Sequence, residues 1–275
     1  MRWVIALAAL LLLSQSASAA GVLERIKDSG VIRLGYRDDA EPYSYQDANG
    51  RPAGYVVDVC REVASRLGGG VRPKFTLVPS TKRFEAVRDG QIDILCDPSS
   101  ATIARREIVD FSLPVYLDGA AALSRTSLPA QRFEDFRGKR VGVLAGTTTE
   151  HVLNDALDSL GINADVIEVN DHRVGLDMLW ADKLDIYFAD RGILAAKLRH
   201  ADRPGFELSK QYFSYETYAL ALPRDDSAFR LAVDKALAEL YRSGRINAII
   251  RKTFGNVPLD EMLKAMFVIN ALPDR

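Results

Sequence analysis

One pattern occurs twice along this chain, each time in the order strand, helix, strand, helix, strand. The strand segments are short apolar runs, whereas the helix segments carry apolar residues every three or four positions. Ser80 is predicted to cap one helix, and Gly68-Gly69-Gly70 ends another. The predicted strands cover residues 31–36, 75–78, 92–95, 140–144, 165–169 and 184–189, and the predicted helices cover residues 55–67, 80–88, 147–160 and 172–182. Because parallel strands need a crossover between them, this pattern predicts two largely parallel sheets flanked by helices.

Two further extended segments, residues 117–124 and 215–222, stand before and after the second unit. They are predicted to cross between the units, and the helical residues 226–254 are predicted to pack back on the first unit. The sequence therefore predicts an α/β fold of two lobes, in which two mixed sheets flanked by helices are joined by two crossover strands. We assign residues 20–121 and 218–275 to lobe 1, and residues 122–217 to lobe 2. A ligand cleft is expected between the lobes, at the carboxyl ends of the strands.

The first 19 residues differ from the rest of the chain. Arg2 gives a positive start, residues 3–13 are all apolar, and Ala17-Ser18-Ala19 is a small-residue cleavage site. This is the pattern of a secretory signal peptide, so we predict export, with cleavage near Ala19, and exclude residues 1–19 from the fold. No Cys stands at the cleavage site, so no lipid anchor is expected. No later stretch approaches the roughly 18 apolar residues of a membrane span.

The two cysteines of the chain are Cys60 and Cys96. An exported chain meets an oxidising compartment, which favours one disulfide between them. The alternative is a pair of buried free thiols, which are common in protein cores. Zinc is not expected, because two isolated cysteines lack the usual ligand spacing.

Composition limits the classes of function. Apolar residues make up 48% of the 275 residues and charged residues 27%, the balance of a soluble globular protein. The net charge of −1 argues against a nucleic-acid partner, because phosphate binding favours a basic surface. The sequence offers no Ser-His-Asp triad, metal-ligand set or phosphate-binding loop, so we predict no catalytic residue, metal or cofactor.

Several segments together resemble a known family. They read GYRDDAEPYSY at 35–45, GYVVDVC at 54–60, ARREIVDFS at 104–112, GKRVGV and GTTTE between 138 and 150, and FAD at 188–190. In order and spacing they are similar to the family 3 periplasmic amino-acid-binding proteins, from about residue 23 to residue 254. The resemblance implies the two-lobed periplasmic binding protein fold and a periplasmic, monomeric chain. It also implies capture of an amino acid for the membrane permease of an ABC importer.

The resemblance also implies a set of ligand-binding residues. Arg105 would bind the α-carboxylate of the ligand and Asp190 its α-ammonium, while Ser100 and Thr148 would add hydroxyl groups. These types suit the task, because a guanidinium binds a carboxylate in bidentate fashion and a hydroxyl both donates and accepts. The alternatives are ordinary structural roles, with Arg105 as a solvated arginine at a helix start and Asp190 as a helix N-cap.

Within the family, four further positions match the glutamate/aspartate-binding branch, namely Arg37, Ser80, Arg83 and His172. Three arginines against Asp190 give the predicted pocket a positive excess, which a ligand with a second carboxylate would offset. The alternative is that Arg37 and Arg83 pair with acids of the protein, among them Asp38, Asp39 and Glu41.

Two residues depart from that branch, Pro98 and Arg191, and Arg191 follows Asp190 where the branch often has a second acid. Pro98 stands where the branch has a Ser, and a proline has no N–H to offer a ligand. Three other functions stay open, namely the binding of another small carboxylate, a sensor module that presents its ligand to a separate membrane receptor, and a periplasmic enzyme of the cyclohexadienyl or arogenate dehydratase type. Such an enzyme needs a general acid, for which His172 and Glu150 are the candidates. We predict a binding protein and no enzyme.

Overall fold

The computed structural model describes residues 21–201, 203–256, 258–273 and 275. The strands are β1 (Val31–Tyr36), β2 (Asp39–Ala40), β3 (Ser44–Gln46), β4 (Pro52–Ala53), β5 (Arg72–Leu77), β6 (Ile94–Leu95), β7 (Asp110–Asp118), β8 (Ala120–Arg125), β9 (Arg140–Leu144), β10 (Asp165–Val169), β11 (Ile186–Asp190), β12 (Phe206–Leu208) and β13 (Glu216–Leu222). The helices are α1 (Val22–Ser29), α2 (Tyr55–Arg66), α3 (Arg83–Arg88), α4 (Ile103–Arg106), α5 (Thr148–Leu160), α6 (His172–Trp180), α7 (Arg191–Ala201), α8 (Ser227–Arg242), α9 (Ile246–Phe254) and α10 (Glu261–Asn270). The predicted signal peptide lies outside the described residues.

Two mixed sheets of five strands form the two lobes, which confirms the predicted fold class. The sheet of lobe 1 has the order β5-β1-β6-β13-β7, and the sheet of lobe 2 has the order β10-β9-β11-β8-β12. Strand β1 pairs in parallel with β5 and β6, and β9 pairs in parallel with β10 and β11. The remaining pairs, made by β13 and by β8, are antiparallel.

Both faces of the lobe 2 sheet are apolar, which explains why helices cover both sides. Phe188 packs in one core cluster and its neighbour Tyr187 in another. Val143 and Leu144 of β9 likewise belong to different core clusters, because successive residues of a strand point to opposite faces of the sheet. In lobe 1, α8 and α9 from the carboxyl-terminal part contribute to the core around β1.

The two crossovers lie side by side, and the first is shorter than the sequence predicts. The predicted extended segment 117–124 is two strands, since β7 belongs to the first sheet, β8 belongs to the second, and only Gly119 separates them. The return crossover joins β12 to β13 and passes directly beside this point. A Cβ atom at Gly119 would overlap the carbonyl oxygen of Ser214, so the close approach requires glycine.

The structure differs from the prediction in three local details, and the first of them is an error. Ser80 begins a 3-10 turn, Ser80–Lys82, and does not cap α3, which starts at Arg83. Residues 226–254 form two helices, because Gly244 has a positive φ of 69° between α8 and α9. The small sheet β2-β3-β4 is absent from the prediction, since strands of two or three residues carry no readable period.

The predicted disulfide is confirmed. Cys60 of α2 is bonded to Cys96, which directly follows β6, and their Cα atoms are 6.1 Å apart. Both residues are fully buried. The bond ties the helix to the sheet one residue before the loop that carries Asp97 and Ser100. None of the helices among the described residues combines the length and apolar character needed to cross a membrane.

Candidate functional site

The eight residues predicted for the site lie at or after the carboxyl ends of parallel strands, on the two facing edges of the sheets. Lobe 1 provides Arg37 after β1, Ser80 and Arg83 after β5, and Ser100 and Arg105 after β6, while lobe 2 provides Thr148 after β9, His172 after β10 and Asp190 at the end of β11. Because the ends of parallel strands meet at one edge of a sheet, residues distant in sequence come together here.

Arg105 is half-buried and faces the gap between the lobes. Its guanidinium donates to the carbonyl oxygens of Ser100 at 2.9 Å and, across the gap, of Gly146 at 3.3 Å. It also lies 4.9 Å from the ring centre of Phe84, and burial lowers its pKa. Its neighbour Arg106 is exposed and lies 3.6 Å from Asp110. Carbonyl partners carry no formal charge, so the Arg105 cation is still available to an anion.

Arg37 has a carboxylate partner, as the alternative from the sequence allowed. Its Nε and one terminal nitrogen, Nη2, each donate to a different oxygen of Asp39 at 2.9 Å, and both side chains are buried. Burial alone would raise the pKa of Asp39, but Arg37 and His172 outweigh it and hold the pKa below its usual range. The pair is therefore charged on both sides, and Arg37 adds no net charge to the gap.

Arg83 is also buried, but its positive charge is compensated less completely than that of Arg37. Its Nε lies 3.4 Å from Asp97, yet neither Nε nor the facing Asp97 oxygen makes a hydrogen bond. The terminal nitrogens donate to the carbonyl oxygens of Ser80 and Gly146. Burial lowers the pKa of Arg83 to about 9, and the nearby Arg105 adds to that effect. Arg83 is thus the guanidinium with most to gain from an additional anion.

The positive excess expected from the sequence is not found. Three arginines are met by four carboxylates, from Asp39, Asp97, Asp190 and Glu216. The sequence count left out three of these four acids. Asp97 follows the end of β6, so the rule that located the other residues also covers it. Glu216 follows no parallel strand, and no sequence signal marked it.

One carboxylate oxygen of Asp190 has no hydrogen-bond partner. Its Oδ1 is buried and makes no hydrogen bond. Burial raises the pKa of Asp190 well above its usual value, and the charges of Glu216 and Asp118 raise it further. Arg37 and a hydrogen bond from Tyr218 act in the opposite direction. A cation beside Asp190 would relieve this cost.

Ser100 and Thr148 meet across the gap. Their hydroxyl oxygens are 3.2 Å apart, and both hydroxyls donate to the carboxylate of Glu216 at the start of β13. Ser214 donates to the other oxygen of this carboxylate at 3.2 Å. A cavity of about 390 Å³ opens beside these side chains.

His172 and Ser80 also link the lobes. The backbone N–H of His172 donates to Asp39 at 3.2 Å, and its ring Nδ1 lies 2.9 Å from the hydroxyl of Tyr187. Burial lowers the pKa of His172 to about 4. The Ser80 hydroxyl lies 3.5 Å from the carbonyl oxygen of Asn170. With the Gly146 contacts, these links mean that the two lobes touch in this closed arrangement.

Two α/β lobes that close on facing arginines and carboxylates define a solute-binding protein of the two-lobed class. The family model for bacterial extracellular solute-binding proteins, family 3, matches residues 32–256, and the chain belongs to this family.

Relatives and solved structures agree with this assignment. An L-glutamate/L-aspartate-binding protein of Pseudomonas aeruginosa is 31% identical over 90% of this chain and 87% of its own length. A glutamate/aspartate import solute-binding protein of Escherichia coli K12 is 27% identical over 92% of this chain and 89% of its own length. The crystal structure of a mutant ArgBP from T. maritima has a TM-score of 0.78 at 25% identity, covering 85% of this chain and 99% of that one. All three are similar proteins over most of their length.

Proposed function

We propose that this chain, as a periplasmic monomer, captures a free amino acid and delivers it to the permease of an ABC importer. One observation carries the proposal. Arg105 on lobe 1 and the unpartnered carboxylate oxygen of Asp190 on lobe 2 face the same closed gap. A guanidinium and a carboxylate are the partners that an α-carboxylate and an α-ammonium require.

The arrangement supports a closing mechanism. The ligand first meets Arg105, which lobe 1 holds through the Ser100 carbonyl. Lobe 2 then brings Thr148 and Asp190 over the amine end, and the Gly146 carbonyl reaches Arg105. The movement is a hinge motion through the two crossovers, which meet at Gly119.

We further propose that the ligand is acidic, as glutamate or aspartate is. The names of both curated relatives support this choice. So does Arg83, because it is buried and its nearest carboxylate, Asp97, makes no hydrogen bond to it. A second ligand carboxylate would compensate a guanidinium that is costly to bury alone. Pro98 offers no N–H, so the guanidinium of Arg83 has to bind that carboxylate without a donor from position 98.

The dehydratase alternative has no poised general acid. His172 has a pKa of about 4, so near pH 7 it has already lost the proton that a general acid must give. The carboxylate of Glu150 accepts the backbone N–H of Gly146 at 2.6 Å. It is therefore engaged at the start of α5. Incubation with prephenate or arogenate, followed by product detection, tests this alternative, and we expect no product.

Titration calorimetry of the mature chain with a panel of the common amino acids tests the proposal. We expect glutamate and aspartate to bind, and native mass spectrometry to detect the same ligand in the purified protein. Binding of only neutral or basic amino acids would contradict the acidic ligand, and binding of none would contradict the function.

A pair of neighbouring variants tests the role of Arg105. Arg105→Ala should weaken binding about 30-fold or more, since loss of one partner of a buried charge pair costs about 2–5 kcal/mol. The matched control is Arg106→Ala, the exposed neighbour, which should bind as the wild type does. Equal affinities for all three proteins would remove Arg105 from the site.

A further inference from the structure

Glu216 connects three parts of the molecule through one carboxylate. It accepts hydrogen bonds from Ser100 of lobe 1 and Thr148 of lobe 2, and from Ser214 of the return crossover. It opens β13, the strand that brings the chain back into the first sheet. The carboxylate therefore sits where the two lobes and the hinge converge.

The protons of the two cleft hydroxyls can be counted. Each serine or threonine hydroxyl has a single proton to donate. Ser100 and Thr148 both donate theirs to Glu216, so only lone pairs face a ligand. Lone pairs repel a carboxylate, which has no hydrogen to offer, but they accept from an ammonium. Because the two oxygens are 3.2 Å apart, one ammonium nitrogen can reach both.

Asp190 extends this set of acceptors. Its buried Oδ1 has no hydrogen-bond partner and is the carboxylate proposed above for the ligand amine. Two hydroxyl lone pairs and one carboxylate oxygen match the three N–H groups of an ammonium. Arg105 is then left to hold the α-carboxylate, which needs donors only.

We propose that Glu216 is a positioning residue for the amine end of the ligand, because it fixes Ser100 and Thr148 as hydrogen-bond acceptors. This inference rests on the proposed function, the binding of a free amino acid. Glu216 does not touch the ligand. It determines which end of the amino acid the two hydroxyls receive, and so the direction in which the ligand lies between the lobes.

The electrostatics of the surrounding residues agree with this role. Burial comes first in raising the pKa of Tyr218, and the charges of Asp118, Asp190 and Glu216 follow. Three acidic side chains thus act on the charge state of one buried phenol. An ammonium at the acceptor set would bring a positive charge to this cluster, whereas a carboxylate would add to the repulsion.

The test compares two probes that differ only in the amine, L-glutamate and glutarate. In Glu216→Gln, the dissociation constant for L-glutamate should rise about 10- to 100-fold, because the NH2 group of the amide can donate to the hydroxyls, which then turn their protons toward the ligand. The dissociation constant for glutarate should not rise. The control Glu207→Gln, in β12, should leave both constants unchanged. If the panel selects another amino acid, that molecule and its deaminated acid serve as the probes.

Each other outcome has a distinct meaning. An unchanged or tighter L-glutamate affinity in Glu216→Gln would overturn the inference, since Glu216 would then only compete with the ligand. An equal loss for both probes would overturn it as well, because it would reflect general damage to the cleft. If Glu216→Gln fails to fold, Glu216→Asp takes its place, with the same criteria. A wild-type chain that binds no amino acid contradicts the proposed function itself, and Glu216 then has no amine to position.

Discussion

Replacing Asp190 by Asn should stabilise the empty protein and weaken ligand binding. The Oδ1 atom of Asp190 is buried without a partner, and Glu216 and Asp118 add negative charge around it. An unsatisfied buried polar group costs about 1–3 kcal/mol, and a charged one more. Asn keeps the shape and removes the charge. We therefore expect the free energy of unfolding of the ligand-free protein to rise by about 1–2 kcal/mol at pH 7.

The size of this effect depends on pH. The folded-state pKa of Asp190 is raised, so the folded protein binds the proton more tightly than the unfolded chain. Ionisation therefore removes stability as pH rises through the folded-state pKa, while below about pH 4 the carboxyl is protonated in both states. The advantage of Asn should accordingly grow with pH above about 4 and disappear below it. Urea unfolding of both proteins across this range measures it.

Binding should change in the opposite direction. An amide cannot neutralise an ammonium, and loss of one partner of a buried charge pair costs about 2–5 kcal/mol, or about 30-fold to several thousand-fold in dissociation constant. Titration calorimetry at pH 7 measures this loss. The control is Asp185→Asn, just before the opposite end of β11, where Asp185 pairs with the half-exposed Arg140 at 2.8 Å. It should cost up to about 1 kcal/mol of stability and no affinity. Wild-type affinity in Asp190→Asn, or a stability loss like that of the control, would refute the reasoning.

Three other perturbations test the fold around the site. The pKa of His172 falls from 6.5 to about 4 through burial, so the unfolded chain takes up the proton first. Stability should therefore drop by about 3 kcal/mol between pH 6.5 and 4, and an unaltered profile in His172→Gln by urea unfolding would contradict this. Replacing both Cys60 and Cys96 by Ser should lower the free energy of unfolding by about 4 kcal/mol, since the bond closes a loop across a separation of 36 residues. A thermal melt equal to that of the wild type would contradict it. In Gly192→Ala, the new Cβ would overlap the hydroxyl of Tyr43 on the facing lobe. The two lobes should then close incompletely, which should weaken ligand binding and increase the radius of gyration measured by X-ray scattering. An unchanged affinity would show that Tyr43 can move aside.

The placement of the site could be predicted from sequence because one geometric rule governs it. Once the order of strands and helices is known, the carboxyl ends of the parallel strands in one sheet must share an edge, and residues as far apart as Arg37 and Arg105 come to the same edge of the lobe 1 sheet. The rule fails for Glu216, which enters from the return crossover at the start of a strand.

Charge pairing could not be predicted in the same way. The sequence named Asp38, Asp39 and Glu41 as possible partners of the arginines, and the structure selects Asp39 for Arg37. Asp38 faces Arg173 instead, and Glu41 faces lobe 2. Side-chain packing in the folded protein determines which of these acids contacts the arginine. The sequence does not distinguish them, because the three acids are close neighbours in one short turn.

The discontinuity of lobe 1 sets an order for folding. Leu34 of β1 shares a core with Phe229 and Leu237 of α8, which the chain supplies only after the whole of lobe 2. The core clusters of lobe 2 draw on one continuous stretch of chain and can form early, whereas contacts of long sequence separation form slowly. We therefore expect lobe 2 to complete its core while lobe 1 still exposes apolar surface. On this view, the protein can bind a ligand only after the carboxyl-terminal helices have packed on lobe 1.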